Sequence, residues 1–182
     1  MTWDEDLLME LKNSDVSFVL IGSLAARWQG VPLDLTDIDI LISNEKENVK
    51  KLSETLSKLG FRRSGAEWTW GMKPGDVPET VGRQPITVFL RSDDEVLEEL
   101  DVMTHMAGVG GYENVLASGK TVQVGDISVN VAAVEMIKRS KEYLNRPKDQ
   151  DHLAAISRWE QDQLSAQQAQ QKGKPGSGRM RL

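Results

Sequence analysis

The stretch Asp37-Ile38-Asp39-Ile40-Leu41-Ile42 alternates strictly, with Asp37, Asp39 and Leu41 on one side and Ile38, Ile40 and Ile42 on the other. A period of two marks a β-strand, whose successive side chains point to opposite faces. The pattern sets two carboxylates on one strand face, roughly 7 Å apart along the chain. Such a pair can hold a hard cation, Mg²⁺ above all, together with substrate phosphates. It can equally be the solvated polar face of an edge strand, and the surrounding sequence has to decide.

Upstream, Ser17-Phe18-Val19-Leu20-Ile21 is a compact apolar run that reads as a buried strand and ends at Gly22-Ser23. Leu24 to Gln29 is helical and stops at Gly30, with Pro32 beyond. A glycine between strand and helix lets a phosphate approach the backbone, and a helix N-terminus offers free N–H groups. The plainer role for Ser23 is as an N-cap. Downstream, Leu100-Asp101-Val102 places a carboxylate between apolar residues in an expected strand. From a neighbouring strand Asp101 would face Asp37 and Asp39; otherwise it would cap a turn or pair with Arg91. Three carboxylates could serve two metals, one for the attacking and one for the leaving oxygen of an in-line displacement.

The rest of the chain supplies a scaffold. Residues 4–13 predict a helix with Leu7, Leu8 and Leu11 on one face. Glu45 to Leu59 predicts an amphipathic helix closed by Gly60. Trp68 and Trp70 share one face of a strand, and a loop rich in Gly and Pro follows from Gly71 to Pro85. Ile86 to Arg91 and Glu98 to Thr104 predict strands, and residues 111–117 a short helix. Thr121 to Val124 and Ile127 to Val131 predict a hairpin turning at Gly125-Asp126. Ala132 to Leu144 is helical, and Pro147 suits the first turn of a last helix reaching about Gln170. The expected class is α+β, a mixed sheet flanked by helices. Residues 1–170 read as a single domain and 171–182 as a flexible basic tail.

Composition narrows the chemistry. With 182 residues and 39% hydrophobic content the chain can bury a core. It has no cysteine, which excludes disulfides, thiolate metal sites and a cysteine nucleophile. The acidic start is unlike a signal peptide, and no run approaches the roughly 20 apolar residues that span a bilayer, so a cytoplasmic protein with no membrane partner is expected. Of the net charge of −6, Lys172, Lys174, Arg179 and Arg181 contribute four positive charges, so residues 1–171 carry −10. An acidic body holds a phosphate backbone poorly, and nucleic-acid contact would need metal ions, a local basic patch or the tail.

Taken together, Ile21-Gly22-Ser23, Thr36-Asp37-Ile38-Asp39-Ile40-Leu41 and Leu100-Asp101-Val102 resemble the minimal DNA polymerase β-like nucleotidyltransferases, with their ordered G-S, D-x-D and later D. Ser140-Lys141, Arg146-Pro147-Lys148-Asp149 and Asp151-His152-Leu153 resemble the S-K…R-P-K-D-x-x-D-L ending of small bacterial members, AbiEii-type toxins among them. The resemblance covers about residues 16–160. It implies the nucleotidyltransferase fold, with Asp37, Asp39 and Asp101 binding Mg²⁺ (or Mn²⁺) and acting in catalysis, Asp101 as the base. Gly22, Ser23 and Lys141 would bind the NTP, with Lys141 near the triphosphate or supporting the sheet, and Arg146 with Asp149 would form a structural pair. The activity implied is transfer of a nucleoside monophosphate to a hydroxyl on tRNA, a protein or a small molecule such as an aminoglycoside. A toxin with an antitoxin partner is one form of it.

One segment departs from the pattern. Small bacterial members often carry an arginine shortly before D-x-D, where this chain has Leu33 followed by Asp34. That departure favours an alternative, a module that keeps the fold but binds or regulates. A structural α+β domain with incidental aspartates is the third reading. Lys141 alone could be a solvated helix residue, Trp68 and Trp70 sheet packing, and His105 and His152 isolated residues with no ligand partner.

Overall fold

The computed structural model describes residues 2–35, 37–64, 87–93 and 96–172. The expected strand bearing Trp68 and Trp70, the loop 71–85 and most of the basic tail lie outside these residues. In chain order the elements are α1 (Trp3–Asn13), β1 (Phe18–Ile21), α2 (Gly22–Trp28), β2 (Ile38–Ile42), α3 (Lys46–Lys58), β3 (Arg62–Arg63), β4 (Thr87–Asp93) and β5 (Val96–Met103). They continue with β6 (His105–Met106), β7 (Gly110–Gly111), α4 (Tyr112–Ser118), β8 (Lys120–Val124), β9 (Ile127–Val131), α5 (Val134–Leu144) and α6 (Pro147–Lys172).

Seven strands form one mixed sheet in the order β3-β4-β5-β2-β1-β9-β8, flanked by helices. The β1–β2 pair is antiparallel, whereas β2–β5 and β1–β9 are parallel. All four residues of β1 are buried, and in β2 only Asp39 escapes full burial. Both faces of these central strands are therefore covered, as long apolar runs require. Leu41, which shares the aspartates' face, lies in the core with the isoleucines opposite. The strand begins at Ile38, so Asp37 stands just outside the ladder and not within it as its alternation suggested.

Leu7, Leu8 and Leu11 bury the inner side of α1, and Val49, Leu52 and Leu56 that of α3. Asn48 ties α3 to the sheet: its Nδ2 donates to the carbonyls of Ser17 and Ser43, and its Oδ1 accepts the Ser17 amide at 2.6 Å. The hairpin turns at Gly125, whose φ of +55° suits glycine. α2 contacts β1, β2 and α5, and α5 packs on α6. This second group of helices brings the end of the chain to the aspartates. Among the described residues no helix is long and apolar enough to cross a membrane.

Candidate active site

Asp39 pairs in register with Ile21 on one side and with Asp101 on the other. The end of β1, the start of β2 and the middle of β5 therefore lie side by side. Carboxylate oxygens of Asp37, Asp39 and Asp101 all lie within 4.8 Å of one another. Oxygens around one Mg²⁺, bound at 2.0–2.1 Å, stand about 3–4 Å apart. Small side-chain rotations would close this set on one ion. Arg91, the other candidate partner for Asp101, is engaged elsewhere: it pairs with buried Glu98, donates to the Leu59 carbonyl at 3.2 Å and lies over the Phe61 ring.

The cluster is short of positive charge. Burial, then the nearby charges of Asp37 and Asp101, push the Asp39 pKa up to about 7, against the pull of Lys141 and Lys148. Burial, Asp37 and Glu99 push Asp101 up to about 6, against Lys148 and Arg146. Asp101 Oδ1 is buried with no hydrogen-bond partner. Desolvated carboxylates crowded together, one with an orphaned acceptor, make the hard-oxygen donor set that suits a divalent cation. The residues present fit such an ion.

Gly22 has φ +68°, and a Cβ built on it would stand 1.9 Å from Asp39 Oδ2. The glycine therefore makes room for the carboxylate, whatever it also offers a phosphate. Ser23 is not the N-cap of α2, since Ile21 occupies that place. Its buried hydroxyl lies 3.4 Å from His152 Nδ1. Lys141 is 8% exposed, so the solvated-helix role does not hold. Its Nζ lies 2.9 Å from His152 Nδ1 and 3.6 Å from Asp149 Oδ1. Burial lowers the lysine pKa, and the charges of Asp149 and Asp39 work against that.

Arg146 and Asp149 do pair, at the junction of α5 and α6. Arg146 Nε and Nη2 donate to the two Asp149 oxygens at 2.8 and 3.1 Å, and the Arg146 amide donates at 3.1 Å. Asp149 is completely buried. Burial works to raise its pKa, but the Arg146 hydrogen bonds and the charges of Arg146 and Lys141 outweigh it, and the pKa falls. His105 is exposed on β6. Leu33 is 6% exposed and lies in the core. The cations whose charges reach the aspartates are instead Lys141, Arg146 and Lys148, at the α5–α6 end.

The residue that sequence reasoning missed is His152, set aside as isolated. A signal for it existed in the D-x-x-D-L pattern. Counted from Asp149, the second acid of that pattern falls on position 152, which is histidine, while Asp151 is one place short and exposed.

No protein-family model matches the chain, and no curated protein sequence does. Among solved structures, the chain is similar to a Thermotoga maritima protein that carries a provisional nucleotidyltransferase assignment. Identity is 17%, with 87% of this chain and 90% of that one covered, at a TM-score of 0.52. This chain has the nucleotidyltransferase fold. The likeness is one of fold and does not extend to the AbiEii-toxin-like subgroup.

Proposed function

We propose that the protein transfers a nucleoside monophosphate from an NTP to a hydroxyl acceptor and releases pyrophosphate. The observation that carries this reading is the convergence of Asp37, Asp39 and Asp101 beside Gly22-Ser23. A divalent cation, Mg²⁺ or Mn²⁺, held by the three carboxylates would supply the charge that neutralises the polyphosphate. Lys141, together with Gly22 and Ser23, binds the phosphates and orients the α-phosphorus. Asp101, whose Oδ1 is buried without a hydrogen-bond partner, is the general base in this reading. It takes the acceptor's proton as that oxygen bonds to the α-phosphorus and the bond from phosphorus to the α–β bridging oxygen breaks. A toxin acting on tRNA or protein, restrained by an antitoxin, belongs to this reading, as does modification of a small molecule.

The test is incubation with each labelled NTP, Mg²⁺ and total RNA, protein or aminoglycosides. Label transfer that is lost in Asp39→Asn and Asp101→Asn is expected. No transfer from any of the four NTPs, together with no tight metal binding, overturns the reading.

One observation favours a second reading, a module that binds or regulates without catalysis. Leu33 faces the core where resembling proteins carry an arginine. Calorimetry with ATP and Mg²⁺ separates the two, because a site without nucleotide affinity, in which Asp39→Asn changes stability alone, supports the module.

A further inference from the structure

We propose that His152 is a positioning residue whose Nδ1 holds the Lys141 ammonium beside the Gly22-Ser23 turn, ready to receive a polyphosphate. The inference rests on the nucleotidyltransferase reading and gives a role to the histidine that stands where the resembling pattern has its second acid.

Lysine has a flexible stem and a compact ammonium with three N–H donors. A polyphosphate that had to order such a side chain would lose affinity, so holding it in advance strengthens binding. Asp149 Oδ1 stands farther off, at 3.6 Å from Nζ, and attracts the ammonium chiefly as a charge. The contact of hydrogen-bond length is the one to His152 Nδ1, at 2.9 Å. Lys141 sits near the end of α5 and His152 in the second turn of α6, so the bond also joins the two helices.

The histidine serves as an acceptor. A protonated lysine can only donate, so Nδ1 must carry the lone pair and Nε2 the proton. Burial, and then the Lys141 charge, oppose protonation of the ring and keep it neutral. A neutral acceptor orients the ammonium without cancelling its charge, whereas an aspartate at this place would compete with phosphate for it. Ser23 Oγ reaches the same Nδ1 only at 3.4 Å. The lysine takes that lone pair, and the Ser23 hydroxyl and a remaining lysine N–H are left for phosphate oxygens.

The experiment is calorimetric titration of the full chain with magnesium tripolyphosphate, for wild type, His152→Leu and His152→Asn. Thermal melting and Mn²⁺ titration show that each variant is folded and keeps its aspartate cluster. His152→Leu removes the acceptor and is expected to weaken tripolyphosphate binding about tenfold, or about 1.4 kcal/mol. His152→Asn places Oδ1 near the position of Nδ1 and is expected to recover most of that loss. In heteronuclear NMR without ligand, Nδ1 of His152 is expected to give the signal of an unprotonated, hydrogen-bonded nitrogen that moves in Lys141→Met. Wild-type affinity in His152→Leu overturns the proposal alone, as does an Nδ1 signal indifferent to Lys141→Met. Failure of the wild type to bind tripolyphosphate overturns it together with the nucleotidyltransferase reading.

Discussion

At the scale of single residues, Gly22 and Asp39 depend on each other. An alanine at position 22 would have to adopt a left-handed backbone, at a cost of about 1–2 kcal/mol, and its methyl would overlap the Asp39 carboxylate. Gly22→Ala is expected to lower the melting temperature and also to lose Mn²⁺ affinity, seen by melting and by titration of the same sample. Asp39→Asn should behave in the opposite sense in the metal-free protein. The folded-state pKa of Asp39, about 7, lies above its ordinary value. Between those values the folded chain keeps a proton that the unfolded chain has lost, so this carboxyl favours folding at low pH and disfavours it as pH rises through 7. Metal-free Asp39→Asn is expected to be more stable than wild type at pH 8, by on the order of a few kcal/mol, while binding no Mg²⁺. Denaturant melts in EDTA from pH 5 to pH 8 check both the sign and the slope; a wild type that gains stability over that range would count against it.

Asp39 was legible from local alternation, because a strand's period is written in adjacent residues, whereas Asp37, on the same pattern, stands just before the strand. Asp101 was legible only as a charged residue inside an apolar run. Its pairing with Asp39 comes from the parallel register of strands far apart in sequence, which no local pattern carries. Ser23 and His152 meet across an even longer separation, and a single histidine has no periodicity to give it away.

At the scale of elements, the helices and the β8–β9 hairpin followed their sequence signals, since amphipathic spacing and turn glycines act within a few residues. The α5–α6 junction is different. Asn145 adopts φ +48° to end α5, and the buried Asp149 then gathers Arg146 and Lys141. Removing that carboxylate charge leaves the mostly buried Lys141 uncompensated, while the partly exposed Arg146 loses less. Asp149→Asn is expected to cost about 2–3 kcal/mol at neutral pH. The folded-state pKa of Asp149 is depressed, so its contribution is present above the ordinary carboxylate range and is lost as pH falls through the folded value. The deficit of the variant should shrink below about pH 4, as urea melts across pH would show.

At the scale of the whole molecule, residues 1–171 carry −10, and the candidate site is itself built on three carboxylates. A polyanion is repelled by such a body unless cations intervene. Tripolyphosphate is expected to bind in Mg²⁺ and to give no heat in EDTA, and binding that survives EDTA would point to the basic residues at the α5–α6 end as sufficient by themselves. The overall mixed topology was readable as a class, while the strand order, with β5 set between β2 and β4, was not.

That strand order also bears on how the chain comes together. β1 and β2 can zip as neighbours early, with Asp39 in place, but Asp101 arrives only when β5 docks alongside β2. Long-range parallel pairing of this kind carries a large loop-closure cost and forms slowly. Where the transition state precedes that docking, the proposed cation site does not yet exist, so Mg²⁺ bound there would grip only the finished molecule. Stopped-flow kinetics should then show Mg²⁺ slowing unfolding with little change in the folding rate, so that the cation acts as a latch on completed folding.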